Sequence, residues 1–219
     1  MMYCNGDTYE GDWKDNLMEG QGELRLKSLN TRYVGEIHGN KYHGKGTLET
    51  YNGVYVGDFE NGHQTGEGRM EYKNLEVYEG QFKNGLRHGN GKLVSPIGTF
   101  IGVFSRNLQE GKGKMMYEDG SIYEGNWSHG LRHGKGIWVQ VDKNQEMAGI
   151  ASYNGDWVYD LREGTGEIVY STGDRYIGPI VAGQPHGNGK LILLSGVVFE
   201  AKMNNGVIEG KVEVTDKDH

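Results

Sequence analysis

The sequence predicts an all-β fold: an elongated, twisted, single-layer antiparallel sheet of consecutive hairpins. Three observations carry that expectation. Residues alternate between two faces with period two over stretches such as Tyr55–Glu60, which argues a strand rather than a helix. Asn61-Gly62 supplies the positive-φ pair that a two-residue type I′ hairpin turn needs. The whole unit then returns at intervals of 24, 22, 23, 22, 23, 30, 23 and 23 residues, a period that signals a repeat array.

In the unit beginning at Tyr55, the residues Tyr55, Gly57 and Phe59 share one face, as do Gly66, Gly68 and Met70 beyond the turn. A plain two-residue turn at Asn61-Gly62 places Gly57 opposite Gly66 and Tyr55 opposite Gly68. An aromatic ring can then lie flat over a residue with no side chain, which is a reason for glycine inside strands, where it otherwise weakens them. The opening aromatic recurs as Tyr9, Tyr33, Tyr55, Tyr78, Phe100, Tyr123, Tyr153, Tyr176 and Phe199. Two positions on stand Gly11, Gly35, Gly57, Gly80, Gly102, Gly125, Gly155 and Gly178, with Ala201 in the ninth place. Nine residues further on there is always another glycine, from Gly20 to Gly210. A constant offset inside the unit and a variable link between units make the hairpin rigid and the connection adjustable.

The pattern Tyr-x-Gly-x-(Trp/Phe), a turn, then His-Gly-x-Gly-x-Leu, as in Tyr78–Phe82 and His88–Leu93, resembles the MORN repeat (membrane occupation and recognition nexus). It covers essentially the whole chain in nine copies. The resemblance implies an array of hairpins that serves as a spacer, docking surface or dimerisation module, and it points to antiparallel dimers through terminal repeats. Some members of the family carry a methyltransferase or lipid-kinase domain, but no stretch here is left over to form one.

Composition narrows the remaining classes. Thirty acidic against 23 basic residues leave a net charge of −7. An acidic surface repels nucleic-acid phosphate and anionic headgroups, and Lys and Arg are scattered without a polybasic block. Nucleic acid is therefore not expected as a partner and direct membrane adhesion is disfavoured. The single cysteine, Cys4, excludes an intramolecular disulfide and fits a reducing compartment. No apolar run reaches spanning length, so a soluble, cytoplasmic chain is expected. Two strands per repeat at about 4.8 Å each give a sheet on the order of 85 Å long.

Along the chain, Met1–Tyr9 lines up with Met115–Tyr123, so residues 1–8 read as the end of a preceding, truncated repeat. Repeats one to six are regular. Pro96 sits in a link, where its missing N–H breaks no ladder. The link from Gln140 to Ser152 carries seven extra residues, including Asp142 to Glu146, and is expected to protrude as a polar loop. The last two repeats drift: Pro179 follows the repeat glycine, Ile180 and Met203 replace the aromatic, and Val212 replaces the last glycine. Their apolar content rises, and the tail from Thr215 to His219 is polar and expected to fray.

By strand parity three stripes point to one face: the opening aromatics; Trp13, Ile37, Phe59, Phe82, Phe104, Trp127, Trp157, Ile180 and Met203; and Leu24, Leu48, Met70, Leu93, Met115, Trp138, Ile168, Leu191 and Val214. Core packing over the glycines is the first reading of these stripes. The functional reading is a peptide-docking aromatic face that includes Tyr123, Trp127, Trp138 and Trp157. The residue before each Gly-x-Gly varies between Glu19, His43, Thr65, His88, Glu110, His133, Glu163, His186 and Glu209. Neighbouring histidines about 9–10 Å apart are too far to share one zinc ion, so no metal site is expected within one chain. A ligand set shared between chains is the remaining form. No catalytic constellation or cofactor loop emerges: Gly-x-Gly lies mid-strand with no helix after it, unlike a phosphate loop.

The function expected is therefore a non-enzymatic scaffold, cytoplasmic and cytoskeleton-associated near the cell cortex, as repeat-only members of the family imply. It is expected to form a homodimer through its C-terminal repeats, using Ile180, Leu191, Leu193, Val198, Phe199 and Met203. A hairpin array ends in unpaired edges, and here apolar residues increase toward the end where a polar cap would be usual. The alternatives are a phosphoinositide-binding module at the inner membrane face and the regulatory half of a truncated enzyme.

Overall fold

The structure, a computed structural model, describes residues 1–140 and 149–215. Most of the expected polar loop in the 140–152 link and nearly all of the C-terminal tail lie outside the described residues. Among the described residues there is no helix, and nineteen strands run antiparallel in consecutive hairpins.

The chain divides into two units, Met1–Leu108 and Gln109–His219. The first holds β1 (Thr8–Lys14), β2 (Leu17–Leu26), β3 (Thr31–His38), β4 (Lys41–Thr50), β5 (Gly53–Glu60), β6 (His63–Tyr72), β7 (Val77–Lys83), β8 (Leu86–Ser95) and β9 (Gly98–Ser105). The second holds β10 (Leu108–Tyr117), β11 (Ile122–Ser128), β12 (Leu131–Val139), β13 (Ile150–Val158), β14 (Leu161–Tyr170), β15 (Arg175–Val181), β16 (Gln184–Pro185), β17 (Gly187–Ile192), β18 (Val198–Asn204) and β19 (Val207–Thr215). Within each unit successive strands pair into one open, single-layer sheet. The break between β16 and β17 is the exception: both pair with β15.

The turns are of the expected kind. Asn61 and Gly62 have φ of 52° and 88°, the left-handed pair of a type I′ turn. The same pair of positive φ values falls on Arg106-Asn107, His129-Gly130, Tyr159-Asp160 and Ala182-Gly183, where side chains that seldom adopt this region are held by their surroundings. From Asn40 onward the turns are docked on the repeat before them. The Gly62 N–H donates to Tyr42 O at 2.9 Å, Asn107 N–H to Arg87 O at 3.0 Å, and Asp160 N–H to Arg132 O at 2.9 Å.

The register differs from the plain hairpin that the turn implies. Gly57 pairs with Gly68, not Gly66, and Tyr55 pairs with Met70, not Gly68. The pairs near the turn, Glu60–His63 to Asp58–Thr65, follow the expected register, and a β-bulge between Asp58 and Gly57 then shifts it by two residues. Gly66, at φ 56°, supplies the left-handed residue of that bulge, and the Asp58 carboxylate accepts the Glu67 N–H at 3.2 Å. The same irregularity recurs at Gly11/Trp13, Gly80/Phe82, Gly125/Trp127 and Gly155/Trp157. A two-residue slip preserves side-chain parity, so the stripes keep their face.

The slip aligns the glycines. In the first unit Gly11, Gly22, Gly35, Gly46, Gly57, Gly68, Gly80, Gly91 and Gly102 pair in sequence across the strands. Gly113, Gly125, Gly136, Gly155, Gly166 and Gly178 do so in the second. Tyrosine rings lie on this track: a Cβ added at Gly68 would stand 2.5 Å from Tyr55 Cε2. The ring therefore does cover glycine, but diagonally, reaching Gly68 from its own pairing with Met70. The other face of the sheet is solvated, with Val34, Val56 and Ile101 exposed among ion pairs such as Arg32–Glu23 at 3.0 Å and Lys135–Asp156 at 2.7 Å.

Candidate functional site

The bulge leaves backbone carbonyls out of the ladder, and the tyrosine hydroxyls take them up. Tyr55 Oη donates to Asp58 O at 3.0 Å. Tyr78 does the same to Gln81 O at 2.9 Å, Tyr123 to Asn126 O at 2.9 Å and Tyr153 to Asp156 O at 2.7 Å. A carbonyl across the bulge also lies within reach: Thr65 O for the Tyr55 hydroxyl and His43 O for that of Tyr33. Each ring is thereby pinned at both ends, by glycine beneath and a carbonyl at the tip. Burial pushes the phenols of Tyr33, Tyr78 and Tyr153 up to about 12.

The second stripe fits between these rings. Phe59 stands edge-on to Tyr55 at 5.1 Å and to Tyr33 at 5.2 Å, and Phe82 does the same to Tyr78 and Tyr55. In the second unit Trp157 lies edge-on to Tyr153 and to Tyr123. Ring centroids about 5 Å apart in T geometry are a favoured aromatic arrangement. Indole N–H groups add bonds from Trp127 to Gly113 O and from Trp157 to Gly136 O, both 3.2 Å. Of the residues expected to line a docking face, Tyr123 is 0% exposed, Trp157 4% and Trp127 7%; Trp138 is half-buried. The first three form the floor of this face. Trp13 is the exception in its stripe, 42% exposed, because no ring from an earlier repeat flanks it.

Above the floor runs a half-buried row that the sequence reading did not single out. Tyr42, Tyr72 and Arg87 belong to it in the first unit, and Tyr117, Arg132, Arg162 and Tyr170 in the second. Tyr42 stacks on Tyr33 with centroids 4.0 Å apart. Arg87, Arg132 and Arg162 occupy the same place in their hairpins, one residue past the leucine that follows the turn. The Arg87 guanidinium lies 5.7–5.8 Å from the Tyr72, Tyr78 and Phe104 rings and donates to Asn107 O at 3.1 Å. Arg132 lies 4.3 Å over Trp157 and pairs with Asp160 at 2.8 Å. Arg162 lies 5.8 Å from the Tyr153 ring, and its burial pushes the guanidinium below its ordinary value. The Leu-Arg dipeptides were visible in the sequence, but only their constant offset from the opening tyrosine would have placed them on this face.

The variable residue before each Gly-x-Gly has a structural use at three of its glutamates. Glu19 accepts the Gly39 N–H at 3.0 Å, Glu110 the His129 N–H at 3.1 Å and Glu163 the Ala182 N–H at 2.9 Å. Each holds the turn of the following repeat. At the histidine positions, His133 instead lies against the Tyr159 ring at 4.7 Å. Among the described residues no group of three or more His, Cys, Asp or Glu side chains could hold a metal ion.

At the C-terminal end, Ile180 and Met203 are buried within the chain, whereas Leu191, Leu193, Val198 and Phe199 are half-buried. Strand β19 pairs with β18 and is exposed along its whole length.

The MORN repeat matches this sequence at residues 9–30, 33–54, 55–75, 78–100, 100–122, 123–145, 153–175 and 176–196. No curated protein matches it. The G-box domain of the microcephaly protein CPAP is 12% identical with a TM-score of 0.40, covering 90% of this chain and 99% of that one. The TCP domain of SAS-4 (dCPAP) of Drosophila melanogaster, in complex with a proline-rich motif of Ana2, is 12% identical with a TM-score of 0.34, covering 85% and 90%. A point mutant of the TCP10 domain of Danio rerio CPAP is 11% identical with a TM-score of 0.32, covering 92% and 81%. Likenesses this distant lend the chain no partner and no location.

Proposed function

The chain belongs to the MORN repeat family, and on that premise we propose that it is a non-enzymatic, cytoskeletal-type scaffold whose aromatic face docks a peptide segment of a partner protein. The observation that carries this reading is the half-buried row: Tyr42, Tyr72 and Arg87 in one unit, and Tyr117, Arg132, Arg162 and Tyr170 in the other. A single-layer sheet has no second layer to cover these side chains, and Tyr, Trp and Arg are the residue types that dominate binding energy at protein interfaces. Trp138 borders the row, while Tyr123, Trp127 and Trp157 support it from beneath. Proximity labelling with the full chain and with a Tyr117→Lys/Tyr170→Lys variant tests this. Partners lost in the variant at unchanged thermal stability support docking here; an identical partner set sinks it.

We further propose that two copies pair through their C-terminal repeats. The support is β19, whose Val207, Ile208, Val212 and Val214 are exposed. An apolar strand edge is a template for another strand, and a two-fold pairing buries the same patch on both copies. Leu191, Leu193, Val198 and Phe199 would join that patch, with Ile180 and Met203 behind it. Light scattering is expected to give a dimer for the intact chain and a monomer for Val212→Lys/Val214→Lys. A mass near 24.4 kDa for the unsubstituted chain would rule the interface out.

A further inference from the structure

We propose that Arg162 is a carboxylate-binding subsite within the docking face, taking an aspartate, glutamate or C-terminal carboxylate of the docked peptide. The assignment rests on the docking reading and specifies one contact in it.

Three hairpins carry an arginine at this place, and in two of them the next repeat supplies an acceptor. Arg132 receives a full carboxylate and Arg87 a single carbonyl, its Nε and Nη1 being buried without a hydrogen-bond partner among the described residues. Asn107, the second turn residue of the next hairpin, presents its carbonyl to Arg87 at 3.1 Å. Asp160, at the same turn position one hairpin on from Arg132, presents its carboxylate at 2.8 Å. The corresponding residue after Arg162 is Gly183, which offers no carboxylate in the place of Asp160, and no hydrogen bond from the Arg162 guanidinium to it is found among the described residues. The guanidinium lies across that glycine, with Nη2 3.3 Å from where a Cβ would stand. The second cover is missing as well. Phe104 and Trp157 stand under Arg87 and Arg132, whereas the residue equivalent to them after Arg162 is Ile180. The carboxylate next to it in sequence, Glu163, accepts the Ala182 N–H.

Arg162 is therefore a half-buried cation, and no ion pair to it is found among the described residues. A guanidinium withdrawn from water without an anion is unfavourable, and its planar fork of five donors matches a carboxylate in two parallel bonds. Burial is what separates it from Arg106, which is exposed and stays hydrated. The choice of a peptide carboxylate follows from the surroundings. Tyr153 and Tyr170 flank the site and suit the rest of a peptide, while a net charge of −7 opposes approach to an anionic membrane.

Sodium glutarate, titrated at constant ionic strength into the ¹⁵N-labelled full chain, tests the assignment. It is expected to move the Arg162 side-chain N–H resonances saturably, about tenfold more tightly than those of Arg106, a gap of about 1.4 kcal/mol. Arg162→Gln is expected to abolish the saturable site. So is Gly183→Asp, which supplies Arg162 with the partner that Asp160 gives Arg132, at a turn position that already accepts aspartate. No saturable shift, a shift no tighter than at Arg106, or undiminished binding in either variant would overturn the proposal. Saturation by inorganic phosphate with glutarate inert would also overturn it, in favour of a phosphate ligand; phosphoinositide vesicles then tell a lipid headgroup from free phosphate. Glutarate binding is read without any partner, so failure of this subsite and failure of peptide docking are separate results.

Discussion

Trp157 lies edge-on to Tyr123, with ring centroids 5.2 Å apart and planes at 82°, although the two residues belong to different repeats. Tyr33, Tyr55, Tyr78 and Tyr123 are each met edge-on by a ring from the next hairpin, Phe59, Phe82, Phe104 and Trp157 in turn. No single repeat buries its own core, and the array is stabilised by contacts between nearest neighbours.

Trp157→Ala is accordingly expected to cost about 3–5 kcal/mol, the range for removing a buried large aromatic, and to release Arg132 from its stacking partner. Trp13→Ala, at a site without a flanking ring from an earlier repeat, is expected to cost about 1 kcal/mol or less. Urea midpoints of the two variants check this, and equal losses would mean that coupling between repeats is not what holds these rings.

The hydroxyl bond across the bulge predicts a reciprocal pair of substitutions. Tyr55→Phe removes the donor to Asp58 O and is expected to destabilise by about 1–2 kcal/mol. Phe100 stands in the same place without a hydroxyl, so Phe100→Tyr is expected to gain up to about 1 kcal/mol by bonding Val103 O. Thermal denaturation reads both; a destabilising Phe100→Tyr would show that the fifth repeat is shaped differently around its ring.

Two glycines of the same hairpin separate packing from backbone conformation. Gly68→Ala drives a methyl group into the pinned Tyr55 ring and is expected to cost about 3 kcal/mol or more. Gly62→Ala meets nothing within 4 Å and bears only the left-handed turn conformation, about 1 kcal/mol. Finding the turn variant to be the less stable of the two would contradict the account of the glycine track.

Stability is expected to fall at both ends of the pH scale. The folded phenols of Tyr33, Tyr78 and Tyr153 stand at about 12, above the ordinary value of 10.0. Their contribution is complete below about pH 10 and is lost as pH rises through the folded value. At the acid end, the Lys135 ammonium and then the Thr165 N–H and hydroxyl hold Asp156 below its ordinary value. That contribution is present above about pH 4 and disappears as pH falls through the lowered pKa. Melting temperatures from pH 3 to 12 should show both limbs, with the acid limb shallower in Lys135→Met. A flat profile between pH 9 and 12 would rule out the phenol term.

Much of the aromatic face was legible from alternation alone. The positions of Tyr55, Gly57 and Phe59 against Gly66, Gly68 and Met70 place every stripe on the correct side, because strand parity survives a two-residue slip. The slip itself was not legible from the Asn61-Gly62 turn, which also fits the plain register. Its signal was the constant glycine at the Gly66 position together with a bonding side chain at Asp58, and reading it required knowing that those two meet. The half-buried row escaped for a related reason. Arg87, Arg132 and Arg162 look like ordinary surface residues until the neighbouring hairpin is set beside them.

What the sequence by itself determined is the plainer part of one hairpin: its turn, the alternation of its strands and which of its faces is apolar. These follow from short-range sterics and period-two geometry, which each repeat carries whole. What only the tertiary structure decided is the bulged register within the hairpin and what lies between hairpins. The closure of Trp157 over Tyr123, the seating of turns on the preceding repeat, and the contrast between Arg132, paired with Asp160, and Arg162, facing Gly183, all join residues from different repeats. One residue's environment here is set by the side chain its neighbour presents across the sheet, and no pattern within a single repeat encodes that.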